Sequence, residues 1–121
     1  MPGVLVVDDE SDMRLLVEAV IERANEGLAV VGSAANGAEA IEQWREISAD
    51  VILLDHQMPD MTGLETAAAI LAEQPDQRII LFSAFLDANT RAQANELGIS
   101  ACVPKTELRR LPEALWRFGT D

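Results

Sequence analysis

Five short apolar runs recur along the chain, at residues 4–7, 28–33, 51–54, 78–82 and 99–103, and each has the length of a strand. Between them lie segments with helical spacing. Met13, Leu16, Val17, Val20, Ile21 and Ala24 form one apolar stripe, Ala40, Ile41, Trp44 and Ile47 a second, and Leu64, Ala67, Ala68 and Leu71 a third. The third stops before Pro75, which lacks the N–H that would continue it. A weakly apolar fourth helix is expected over residues 88–97, closed by Gly98. A fifth is expected over about residues 107–118, carrying Leu108, Leu111, Leu115 and Phe118, with Pro112 tolerable only if the helix starts late.

Strands that alternate with helices imply right-handed crossovers and a parallel sheet covered on both faces. The third run, Val51-Ile-Leu-Leu54, shows no apolar/polar alternation, as expected of a strand buried on both sides. At 121 residues the chain is expected to form one domain over 1–121, large enough for a core without disulfides or a structural metal. No internal repeat, linker or low-complexity segment interrupts it.

Hydrophobic residues make up 49% of the chain and charged residues 25%, a composition that folds. The 21 acidic residues outweigh 9 basic ones, and a net charge of -12 repels phosphate backbones and anionic membranes alike. Direct contact with nucleic acid or membrane is therefore not expected. A lone cysteine, Cys102, and a lone histidine, His56, allow neither an intrachain disulfide nor a Cys/His zinc site, which suits a cytoplasmic location. No apolar stretch approaches the length of a membrane span, and no leader-like segment begins the sequence.

In open α/β sheets, ligands bind outside the carboxyl ends of the strands. Asp8 and Asp9 follow the first run, Asp55 the third, Ser83 the fourth, and Pro104 and Lys105 the fifth. Three carboxylates in one crevice repel one another unless a cation joins them, and a hard divalent ion such as magnesium favours oxygen ligands. Lys105 is the sole lysine, and an ammonium there suits a carboxylate or a phosphoryl oxygen, to which Ser83 could also donate. Each residue alone has an ordinary reading. Residues 8–10 could be a loop before a helix capped by Ser11 or Asp12, Asp55 a turn cap towards Pro59, and Ser83 a loop residue. Their joint placement at the strand ends is what points to a site.

These motifs, LVVDDE at 5–10, VILLDHQMPDMTGLE at 51–65, ILFSA at 80–84 and VPK at 103–105, resemble those of the receiver domains of two-component response regulators over essentially the whole chain. The resemblance implies a doubly wound, flavodoxin-like (βα)5 fold with a five-stranded parallel sheet of order 2-1-3-4-5. It implies that Asp55 is the phosphoacceptor, with Mg2+ as cofactor. Asp9 resembles a direct metal ligand, Asp8 a ligand acting mostly through water, and Gln57 the donor of a backbone carbonyl to the metal. Ser83 and Lys105 resemble the residues that hold the phosphoryl oxygens. The implied partners are a sensor histidine kinase or phosphotransfer protein upstream, and an output domain or downstream protein that reads the surface around the fourth helix, fifth strand and fifth helix. The chain could be a stand-alone receiver or the amino-terminal part of a longer regulator, and a homodimer is compatible with either.

Three positions depart from the common receiver pattern. Cys102 occupies the place of an aromatic residue in the fifth strand and reads as a small core residue. Pro104 precedes Lys105 and Thr106 follows it, whereas many receivers have a cis Lys-Pro bond; a cis Lys105-Thr106 bond would cost roughly 3 kcal/mol, and its geometry is left open. Phe85, placed where receivers tune the access of water to the acyl phosphate, predicts slow hydrolysis. Trp44 and Trp116 fall on helix stripes and read as packing, while His56 and Glu10 read as partly solvated loop residues.

Two other function classes compete. A receiver that is never phosphorylated and acts through a constitutive interface is disfavoured by the intact set Asp8, Asp9, Asp55, Ser83 and Lys105. A haloacid-dehalogenase-like phosphohydrolase also uses an aspartyl phosphate, but wants a second acid where this chain has Gln57.

Overall fold

A computed structural model describes residues 2–24 and 27–120, so the expected domain limits at 1 and 121 lie outside the described residues. The elements run β1 (Gly3–Val7), α1 (Ser11–Ala24), β2 (Ala29–Ala34), α2 (Gly37–Glu46), β3 (Val51–Leu54), α3 (Gly63–Glu73), β4 (Arg78–Ser83), α4 (Ala88–Leu97), β5 (Ala101–Pro104), a 3-10 helix (Lys105–Arg110) and α5 (Leu111–Gly119). All strand pairs are parallel, in the order β2-β1-β3-β4-β5 that the resemblance implied.

The two-residue period of the strands divides the core in two. Leu5, Val7, Ile52, Leu54, Ile79 and Leu81 face one way and pack under Ala40, Trp44, Leu64, Ala67, Ile70, Leu71 and Ala94 of α2, α3 and α4. Val4, Val6, Val51, Leu53, Ile80 and Phe82 face the other way and pack under Val17, Ile21, Leu111 and Leu115 of α1 and α5. No residue of β3 is more than 2% exposed, so its unbroken apolar run has two covered faces to fill. Burying each such side chain contributes about 1.5–3 kcal/mol, and truncating one, as in Ile52→Ala, would cost about 2–5 kcal/mol.

Helix starts cluster on the side where the strands end, and their caps are local. Asn36 accepts from Glu39 N at 2.8 Å at the head of α2, Thr62 and Glu65 form a reciprocal capping box on α3, and Asp87 accepts from Thr90 N at 2.7 Å on α4. Gly98 closes α4 with φ 92°, in the left-handed region that favours glycine.

Several expected boundaries shift. The fifth strand begins at Ala101 rather than 99, because Ser100 bridges to β4 through Ser100 N to Ile79 O (2.8 Å) and Ile79 N to Ser100 Oγ (3.3 Å). The last helix is not continuous from 107: Glu107 leaves helical geometry (φ -109°, ψ 44°), and α5 starts at Leu111, so Pro112 falls in its first turn, where no N–H is required. Trp44 is core, with its Nε1 donating to Gln77 Oε1 at 3.0 Å, whereas Trp116 is 43% exposed and packs at the surface against Gly27 rather than in the core. Leu16 lies outside the core at 46% exposed, while Val17 and Ile21 of the α1 stripe are buried and Met13 packs against them. Among the described residues there is no cis peptide bond, Lys105-Thr106 included. No helix there is long and apolar enough to cross a membrane.

Candidate functional site

The parallel ladder carries the site residues past the strand ends. Asp8 N donates to Ala34 O of β2 at 3.1 Å and Asp55 N to Val7 O of β1 at 2.9 Å, so both acids start from backbone held by a neighbouring strand. Asp8 and Asp55 are buried, 3% and 4% exposed, while Asp9 lies at the surface. One carboxylate oxygen from each of Asp8, Asp9 and Asp55 lies within 4.8 Å of the others. The acids predicted from the strand ends therefore converge.

Lys105 enters from the edge strand, at the carboxyl end of β5. Its Nζ lies 2.8 Å from Asp8 Oδ2 and 3.4 Å from Asp55 Oδ1, with the lysine side chain only 11% exposed. Burial works against the charged ammonium, yet the hydrogen bond to Asp8 and the charges of Asp55 and Asp8 outweigh it and hold Lys105 above its ordinary value. Burial, with the Asp8 carboxylate second, pushes Asp55 up to about 6 against the opposing pull of Lys105. One ammonium does not fully offset the charge gathered here.

Ser83, the last residue of β4, is 0% exposed, and its Oγ is buried without a hydrogen-bond partner. A buried hydroxyl left unpaired costs about 1–3 kcal/mol, which marks Ser83 as a group awaiting an acceptor. Gln57 lies in the loop after Asp55 with its side chain in solvent, so the acidic cluster forms without that side chain.

Sequence reasoning missed three supports of this site. Arg14 of α1 reaches back, its Nη1 donating to the Asp8 carbonyl at 2.7 Å. Gly63 heads α3 where a β-carbon would strike the Asp55 carbonyl oxygen and lie 2.8 Å from His56 Cα, so only glycine lets α3 start this close to the phosphoacceptor candidate. Asp60 accepts from Gly37 N at 3.0 Å and from Ala38 N at 2.9 Å, tying the loop after β3 to α2. Gly63 and Asp60 stand within the motif at 51–65, but their roles depend on backbone from other elements.

The remaining candidates fall where they were expected. His56 is half-buried, with Nδ1 accepting from Leu64 N at a long 3.4 Å, and Glu10 is exposed. Cys102 is half-buried against the α2–α4 side of the core, and burial pushes its thiol up, so it is a packing residue rather than a thiolate.

The sequence model of the family described as response regulator receiver domain matches residues 4–115. The chain belongs to that family. This receiver is 38% identical to the chemotaxis protein CheY of Thermotoga maritima over 93% of its own length and 92% of the relative. It is 40% identical to a protein-glutamate methylesterase/protein-glutamine glutaminase of Halobacterium salinarum, covering 81% of this chain but only 28% of that longer protein. Its structure matches the response regulator TrrA of Thermotoga maritima, solved in complex with Mg(2+)-BeF, with a TM-score of 0.83 and 31% identity over 98% of this chain and 99% of that one. The chain is thus a receiver of two-component signalling in the flavodoxin-like (βα)5 fold.

Proposed function

We propose that residues 1–121 act as one receiver domain in which Asp55 accepts a phosphoryl group from a sensor histidine kinase or a phosphotransfer protein. The observation that carries this reading is the convergence of Asp8, Asp9 and Asp55 on one point, with Lys105 Nζ 2.8 Å and 3.4 Å from two of the three. The donor set fits a hard cation: it offers carboxylate oxygens and neither imidazole nor thiolate. Asp8, Asp9, Asp55 and the backbone carbonyl of Gln57 would hold Mg2+, which when bound neutralises charge on the phosphoryl oxygens.

An Asp55 oxygen attacks the phosphorus while the bond to the donor imidazole nitrogen breaks and its electron pair stays on that nitrogen. Asp55 then carries a mixed anhydride. Such a transfer passes through a loose transition state, so alignment and charge neutralisation do most of the catalysis. Lys105 moves from Asp8 and Asp55 to a phosphoryl oxygen, and Ser83 Oγ donates to another, gaining the partner it lacks. Drawing Ser83 inward shifts the loop before α4. That helix is held by one buried residue, Ala94, so a shift there is cheap and changes the surface of α4, β5 and α5 read by an output domain or downstream protein. The chain catalyses only its own phosphorylation and dephosphorylation, in the cytoplasm, without contacting nucleic acid itself.

The test is intact-mass measurement after incubation with Mg2+ and acetyl phosphate. A phosphoryl adduct that disappears in Asp55→Ala is expected. No adduct on the native chain would favour a constitutive interface instead, and turnover of many phosphoesters would favour a hydrolase.

A further inference from the structure

The loop of residues 55–62, which joins β3 to α3, is fixed at two points. At its neck, Gly63 N donates to His56 O at 2.7 Å, and Gly63 lies directly against the Asp55 and His56 backbone. Further along, the Asp60 carboxylate leaves this loop and meets the first turn of α2, accepting from Gly37 N at 3.0 Å and Ala38 N at 2.9 Å. The first N–H groups of a helix have no partner within it, and its amino terminus favours a negative charge. Asn36 supplies the acceptor for Glu39 N, so the Asp60 and Asn36 side chains together satisfy the first three N–H groups of α2. Packing closes the same junction: a β-carbon on Gly37 would run into Met61 and Thr66, so α2 sits directly on the loop and on α3.

Gln57 lies in the span between these two anchors. We propose that Asp60 is a positioning residue of the phosphoryl-transfer site: by tying the loop to the amino terminus of α2, it presets the segment that carries the Gln57 carbonyl before a metal ion arrives. This rests on the reading of Asp8, Asp9, Asp55 and the Gln57 carbonyl as the metal site. The backbone N–H groups of Ala38 and Gly37 hold the Asp60 carboxyl below its ordinary range, which keeps the tie charged in mild acid. Without it, part of the ion's binding free energy would go into ordering the loop.

Titration of the full chain with Mn2+, read by the electron paramagnetic resonance of the free ion, tests this without any phosphorylation. Asp60→Ala should weaken Mn2+ binding about tenfold, a loss typical of residues that orient metal ligands. Asp60→Asn, which keeps one carbonyl acceptor, should lose less. Asn36→Ala removes the other side-chain cap of α2 without touching the loop, and should lower thermal stability while leaving Mn2+ affinity unchanged. Unchanged affinity in folded Asp60→Ala and Asp60→Asn, or equal weakening in Asn36→Ala, would overturn the proposal. If the native chain bound Mn2+ no better than Asp9→Asn, the metal-site reading itself would fall, and the role of Asp60 with it.

Discussion

Lys105 lies closer to Asp8 than to Asp55, with its Nζ 2.8 Å from the first carboxylate and 3.4 Å from the second. The only lysine of the chain thus rests on a proposed metal ligand and would compete with a divalent ion for it. Replacing it with an uncharged side chain of similar length separates two effects. Lys105→Met should bind Mg2+ more tightly than the native chain by calorimetry, because no ammonium has to be displaced. The same variant should be phosphorylated at least about 100-fold more slowly, since charge stabilisation at a transferring group is typically worth that much.

Asp55 gives the chain a defined pH dependence. Its carboxyl is pushed up to about 6 in the fold, above the ordinary 3.8, so between those values the folded state binds more protons than the unfolded state. Stability therefore falls as pH rises through this window, and the full cost of the buried charge is present above pH 6. Metal-free Asp55→Asn should exceed the native chain in stability by about 1–3 kcal/mol at pH 7.5, with the gap closing towards pH 4. Denaturant unfolding at several pH values checks this. Excess Mg2+ should stabilise the native chain more than the variant, which keeps Asp8 and Asp9 but loses one carboxylate.

Phe85 is 64% exposed and lies two residues beyond Ser83 in the chain. An apolar ring at this position would keep water from an acyl phosphate on Asp55, and the expectation is slow hydrolysis. Phosphate release from the phosphorylated chain should be several-fold faster in Phe85→Glu. Equal rates would refute the role given to Phe85.

Gly63 tests how closely α3 must approach Asp55. The β-carbon of Gly63→Ala meets backbone, not a flexible side-chain end, so the helix or the loop has to move. A loss of about 1–3 kcal/mol in unfolding free energy is expected, as for other overpacked sites. Acetyl phosphate should label the variant more slowly even where it is fully folded, because Asp55 moves with the displaced backbone.

Much of this protein was already written in local pattern. The strands β1, β3 and β4 declared themselves because each fills two buried faces with side chains of period two, and Leu5 and Val6 do go to opposite clusters. Pro75 and Gly98 marked the ends of α3 and α4 through backbone chemistry that needs no partner. Asp8, Asp9, Asp55, Ser83 and Lys105 could be named because each stands within two residues of the end of an apolar run. Their grouping needed only the rule that parallel strands finish on the same side.

Other features depended on surfaces that the chain does not encode locally. Trp116 and Trp44 both lie on apolar stripes, yet only Trp44 has a sheet and a buried amide, Gln77, beneath it. Ser100 falls outside β5 although it bonds to β4 through its N–H and its Oγ, and Glu107 departs from helical geometry inside a segment that reads as one helix. Asp60 and Gly63 look like ordinary turn residues until α2 and the Asp55 backbone come against them. The sequence by itself determined which groups stand at the strand ends, because that follows from covalent order and residue period. Only the tertiary structure decided how they are held, since Lys105 on Asp8, Asp60 on α2 and the unpartnered Ser83 hydroxyl each depend on backbone from distant parts of the chain.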